Sequence, residues 1–164
     1  MARILTTEEY LNTPRPSINW ILDQHLPHPG TILLSGPPKS GKSFLAFDLA
    51  RAVAQGIRFL GWDTRKSKVL YLQFDTSELI WRQRLNRMQS SGFSLAGDLY
   101  TIHPDDMRLP INIINVEDQE WLNRVIVKCD PELVVVDVFR EIHNADENDS
   151  TQMKIVGDII TRLF

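Results

Sequence analysis

Gly36, Gly41, Lys42 and Ser43 stand at the spacing G-x-x-x-x-G-K-[ST]. Each residue type in that pattern has a physical task. Gly41 lets the backbone come close to a phosphate without a Cβ in the way. N–H groups at the start of the following helix point inward, and the helix dipole adds positive potential there. Lys42 can reach the β- and γ-phosphates as a point charge, which gives it a catalytic as well as a binding role, and Ser43 can offer its hydroxyl to Mg²⁺. Pro37 and Pro38 lack N–H donors, but they lie on the entering side of the loop, where they stiffen it. Lys39 and Ser40 complete the loop, with the Lys39 charge read as solvated, and Phe44 is the next residue expected at the nucleotide. The expected ligand is a nucleoside triphosphate, ATP, with Mg²⁺.

A bound Mg²⁺ calls for a further hard oxygen. Asp137 closes the apolar run Leu133-Val134-Val135-Val136 and is the expected second metal residue beside Ser43. Hydrolysis also calls for a carboxylate that orients or deprotonates the attacking water. Asp75 ends the run Lys68–Phe74 and would lie at the same edge of a sheet. It reads equally as a cap for the helix that starts near Ser77, and the residues alone leave that choice open. His143-Asn144-Ala145-Asp146-Glu147-Asn148-Asp149 is rich in carboxylates. No metal-ligand spacing is present there, so the expectation is a solvated acidic loop, with a role in sensing a neighbouring subunit or substrate left open.

Alternating runs supply the frame for these residues. Gly30–Ser35, Lys68–Phe74, Leu99–Ile102 and Leu133–Val138 read as strands, the first and second as buried ones. Lys42–Gln55 carries apolar residues at helical spacing and is stopped by Gly56. Ser77–Met88 reads as a helix with an apolar side (Leu79, Ile80, Leu85, Met88) and a basic side (Arg82, Arg84, Arg87). Asp118–Lys128 and Ser150–Phe164 read as further helices, the last one capped by Ser150. Thr6–Leu11 could form a short capped helix, after which Pro14, Pro16, Pro27 and Pro29 keep the chain extended or turning. The expected fold is α/β, with a mostly parallel sheet flanked by helices. Residues 1–29 read as a lead-in and residues 30–164 as the nucleotide-binding core.

Bulk properties narrow the function classes. The chain has 164 residues, is 43% hydrophobic and 24% charged, and carries a net charge of −3. That suits one domain with a sizeable core. No apolar run approaches the ~18 residues of a membrane span, and the N-terminus has no apolar signal core. The single cysteine, Cys129, cannot form an internal disulfide, and a cytoplasmic setting is the default. The charge balance does not demand a nucleic-acid-binding face, although a local patch can hide in a neutral total.

Three stretches together resemble a family. Trp20-Ile21-Leu22, Leu26-Pro27-His28-Pro29-Gly30 and Thr31 through Ser43 resemble the opening of RecA-like P-loop ATPases of the plasmid RepA replicative helicase type. Lys68-Val69-Leu70-Tyr71-Leu72 with its acidic turn and arginine-bearing helix is similar as well. So is Val135-Val136-Asp137-Val138-Phe139-Arg140, followed by His143 and Asp146-Glu147-Asn148-Asp149. The resemblance implies a RecA-like core, a ring-forming homo-oligomer with nucleotide between subunits, and action on single-stranded DNA. It carries Lys42, Ser43 and Asp137 over as phosphate and Mg²⁺ residues. Two departures matter. The family places Glu where this chain has Asp75, one methylene shorter, so the expectation is slow hydrolysis or another group in that role. RecA-like cores also continue past this point with a central strand, DNA-contacting loops and an arginine finger, so the chain reads as truncated at its C-terminus, with exposed apolar sheet edges.

Two function classes follow. One is an ATPase module of a DNA helicase or a recombination or replication motor. The other is a nucleotide-binding regulatory or assembly switch with weak or no hydrolysis. A small-molecule kinase shares the loop, but no lid-like arginine cluster accompanies it beyond the helix with Arg82, Arg84 and Arg87.

Overall fold

The computed structural model describes residues 4–14, 17–102 and 111–164. Pro16, one of the prolines expected to hold the lead-in extended, lies outside them. At the centre is β3 (Val69–Gln73), whose five residues are all buried. A strand apolar on both sides belongs in the middle of a parallel sheet, and β3 pairs in parallel with β4 (Leu99–Ile102) on one side and β5 (Leu133–Asp137) on the other. Strand periodicity divides the core in two. Val69 and Tyr71 pack on one face with Phe47, Ala50, Val53 and Trp81, while Leu70 and Leu72 pack on the other with Leu122, Val156 and Ile159. Helices α2 (Lys42–Gln55) and α3 (Glu78–Ser90) cover the first face, and α4 (Val116–Cys129) and α5 (Ser150–Leu163) cover the second. The expected α/β fold, a parallel sheet flanked by helices, is therefore the observed one.

Local chemistry explains most element ends. Gly56 closes α2 in the left-handed region at φ 68°, its N–H meeting the Ala52 and Val53 carbonyls. A Cβ there would lie 2.8 Å from Cβ of Lys66, so glycine is needed on two counts. Asn115 caps α4 through the Glu117 N–H at 3.0 Å. Asp149, not Ser150, caps α5, accepting from the Thr151 and Gln152 N–H groups at 2.8 and 3.2 Å. A carboxylate is the stronger acceptor at the positive end of a helix. The short helix α1 (Thr7–Asn12) carries a full capping box between Thr6 and Glu9.

Three expectations are corrected. Gly30–Ser35 does not form a buried strand, and Ile32, Leu33 and Leu34 are exposed. A strand needs a ladder partner, and among the described residues none pairs with this run; the sheet ends at β5. The apolar face of α3 is not Leu79 and Ile80, which are exposed, but Trp81 with Leu85 and Met88. Trp81 offers the largest apolar area on that helix and lies stacked on Tyr71, with ring centroids 5.5 Å apart. Finally, β1 (Trp20–Leu22) and β2 (Leu26–Pro27) form an antiparallel pair that the sequence reading did not contain. Its Ile21, Leu22 and Leu26 are buried in the α2 face of the core. No helix among the described residues is long and apolar enough to cross a membrane.

Candidate functional site

The Gly36–Ser43 loop leads directly into α2. Gly41 is the N-cap residue at φ 90°, ψ 10°, and no side chain among the described residues caps this end. The first N–H groups of α2 are thus without intrahelical or side-chain capping partners among the described residues, which leaves donors and positive potential at this helix end. The backbone conformation of Gly41, rather than crowding, is what calls for glycine, since nothing lies within 4 Å of the position of an added Cβ. Lys39 also stands in the left-handed region, at φ 62°, with its side chain exposed. Lys42 folds back across the loop. Its Nζ donates to the Gly36 and Pro37 carbonyls, both at 2.8 Å.

Ser43 Oγ donates to Asp137 Oδ1 at 3.0 Å, across 94 positions of sequence. The parallel register explains why they meet. Leu133, Val135 and Asp137 share the sheet face that α2 covers, so the last of them points at the first turn of α2. The other carboxylate oxygen, Oδ2, accepts from the Tyr71 hydroxyl at 2.7 Å. That hydroxyl also lies 3.4 Å from the Ser43 carbonyl. Burial, and then the negative charge and hydrogen bond of Asp137, push the Tyr71 phenol far above its usual range. It therefore stays protonated, and stays a donor, at all ordinary pH. Phe47 packs edge-on against Tyr71 and Trp81, at 5.3 and 5.0 Å between centroids, and the three rings fix the direction of the hydroxyl.

Tyr71 was not among the expected site residues. The available signal was its place on the same strand face as Val69, combined with the rule that a buried phenol finds a partner. Replacing Tyr71 by phenylalanine is expected to lower unfolding free energy by about 1.5–3 kcal/mol, the usual worth of a hydrogen bond to a charged group. Urea denaturation measures this, and an unchanged midpoint would contradict it.

Ser43 and Asp137 together offer a hydroxyl and a carboxylate within hydrogen-bond distance, a hard-oxygen set that fits Mg²⁺. Asp75 lies two residues beyond Gln73, the register partner of Asp137. The strand ends are tied there by the Phe74 N–H on the Asp137 carbonyl at 2.6 Å. Asp75 is exposed, and Ser77, not Asp75, is the N-cap of α3.

An open cavity of about 630 Å³ adjoins the loop, with Leu34, Phe44, Leu45, Met88 and Phe93 among its walls and Ser40 and Lys42 at its polar side. Its size is that of a small-molecule site, about 300–1,000 Å³. Arg84 is held beside it, donating to the Thr76 hydroxyl at 3.2 Å and lying over the Phe44 ring at 5.7 Å. This arginine is half-buried, unlike its exposed neighbours Arg82, which pairs with Glu78, and Arg87.

The acidic loop after β5 is partly as expected. Asp146 and Asp149 are spent on local turns and the α5 cap. His143 differs. It is 8% exposed and packs against the Phe139 ring at 4.7 Å. Phe139 and Ile142 form a 3-10 turn after β5 that draws the histidine inward.

Two comparisons bear on this arrangement. A family model described as an AAA domain matches residues 2–163, almost the whole chain. No curated protein matches it.

Proposed function

The chain belongs to the AAA domain family, which makes it a nucleotide-binding ATPase module, and from that premise we propose that it binds Mg²⁺–ATP at the Gly36–Ser43 loop and serves a RecA-like motor acting on single-stranded DNA. The observation that carries the binding site is the Ser43–Asp137 contact at the root of the loop. The free N–H groups of α2 and the Lys42 ammonium would hold the phosphates, with Ser40, Gly41 and Gly36 shaping the loop. Pro37, Pro38 and Lys39 form its entering side, and the cavity beside Phe44 has the size and apolar walls that suit the base. Mg²⁺, held by Ser43 and Asp137, would neutralise developing charge on the phosphates. Lys42 would leave the Gly36 and Pro37 carbonyls for phosphate oxygens, a stronger charge-assisted partner.

The motor reading rests on the RecA-like resemblance of the three stretches described above. The exposed Ile32–Leu34 run and the open edge of β5 support self-association, as a ring-forming homo-oligomer would use. Its test is ATP turnover with and without single-stranded DNA. Stimulation by DNA that disappears in Lys42→Ala supports the motor, and DNA-independent turnover contradicts it.

Asp75 favours a second reading. It is exposed and one methylene shorter than the carboxylate that activates water in the family it resembles. A protein with this residue can bind ATP tightly and turn it over slowly, as a regulatory or assembly switch does. Asp75→Glu is expected to raise turnover by about tenfold, a fraction of the 10²–10⁴ that a positioned base contributes. Equal rates for Asp75→Glu and Asp75→Ala would remove Asp75 from the chemistry.

A further inference from the structure

Gln73 is 1% exposed, and neither its Oε1 nor its Nε2 has a hydrogen-bond partner among the described residues. Burying an amide without partners is costly, and native proteins avoid it unless something fills the need. The place of Gln73 narrows what that something could be. It pairs in parallel register with Asp137, so the two side chains leave the sheet on the same face, about 5 Å apart. That face also carries Tyr71, whose hydroxyl holds Asp137 Oδ2. Gln73 is therefore the last residue of β3 on the side where Ser43, Asp137 and the start of α2 converge.

We propose that Gln73 binds a water of the Mg²⁺ coordination shell, and so sets how strongly the metal is held at Ser43 and Asp137. The inference rests on the Mg²⁺–ATP reading above. Its chemistry is specific. Mg²⁺ gives up its waters reluctantly and usually keeps several. A metal-bound water has only protons to offer, and Gln73 Oε1 is an acceptor. Nε2 donates, and a carboxylate or phosphate oxygen beside the metal accepts. One amide thus meets both needs of a hydrated cation next to Asp137, through two separate atoms, which an aliphatic side chain cannot do. Tyr71 fixes the carboxylate from one side, and Gln73 fixes its water from the other.

The test compares the parent protein with Gln73→Leu and Gln73→Met, titrating Mg²⁺ at fixed ATP and reading the ATP-induced thermal shift. Partners of this kind change metal affinity by about 10–100-fold when removed. The Mg²⁺ concentration at the half-maximal shift is expected to rise about tenfold in both variants. Without nucleotide or metal, both should melt at or above the parent temperature, because an unpaired amide has been removed from the core. A purely structural role for Gln73 predicts the same gain in melting temperature with an unmoved Mg²⁺ midpoint, and that result overturns the proposal. If the parent itself shows no Mg²⁺-dependent shift, the Mg²⁺–ATP reading fails first and takes the proposal with it. If the parent responds and only the variants match it, Gln73 alone is excluded.

Discussion

Replacing Lys42 by alanine is expected to weaken ATP binding by about 100-fold. The side chain has two jobs. Its ammonium bridges the Gly36 and Pro37 carbonyls at 2.8 Å each, which ties the loop to itself. On the proposed reading, the same charge would meet the β- and γ-phosphates of ATP. A charge-assisted hydrogen bond is worth about 1.5–3 kcal/mol, and the upper end of that range corresponds to about 100-fold in affinity. Isothermal titration calorimetry measures it. Lys39→Ala is the matched control, because Lys39 sits in the same loop with an exposed side chain, and it should change affinity by less than threefold. Equal effects of the two substitutions would show that the loop acts only through its general positive charge.

Asp137→Ala is expected to have the largest effect on both stability and metal dependence. The carboxylate accepts from Ser43 Oγ through one oxygen and from Tyr71 through the other. Alanine leaves the buried Tyr71 hydroxyl only the long contact to the Ser43 carbonyl at 3.4 Å, at a cost of about 1–3 kcal/mol. For a chain of this size that lowers the melting temperature by about 2–12 °C. The double variant Tyr71→Phe/Asp137→Ala should recover part of the loss, because both partners of the buried bond are then gone. Mg²⁺ should no longer tighten ATP binding in either. A melting temperature within 1 °C of the parent for Asp137→Ala would place the carboxylate outside the network described.

The backbone arrangement of the loop was legible in the sequence because it is local. A G-x-x-x-x-G-K-S run needs only its own backbone and the helix after it, and α2 begins at Lys42 and ends at Gln55, where its apolar spacing and Gly56 place it. Asp137 was legible from a run of four apolar residues ending in a charge. Tyr71 and Gln73 were not, since their roles depend on which strand lies beside β3 and in what register. That pairing is a long-range fact, and a shift by one residue would turn both side chains to the opposite face. Trp81 was hidden for a similar reason. Leu79 and Ile80 look as apolar, and only the stacking of Trp81 on Tyr71 decides which face of α3 goes inward. Gly30–Ser35 shows the converse. Its pattern is that of a buried strand, and pattern alone does not supply the neighbour that a strand requires.

The most direct test of the site is calorimetric titration of ATP into the protein with Mg²⁺ in excess over the nucleotide and again with the metal chelated. The arrangement of Lys42, Ser43 and Asp137 predicts measurable one-site binding that tightens by about tenfold or more when Mg²⁺ is present. Binding of equal strength under the two conditions, or no binding at millimolar ATP, would contradict a Mg²⁺–triphosphate site built on the Ser43–Asp137 contact.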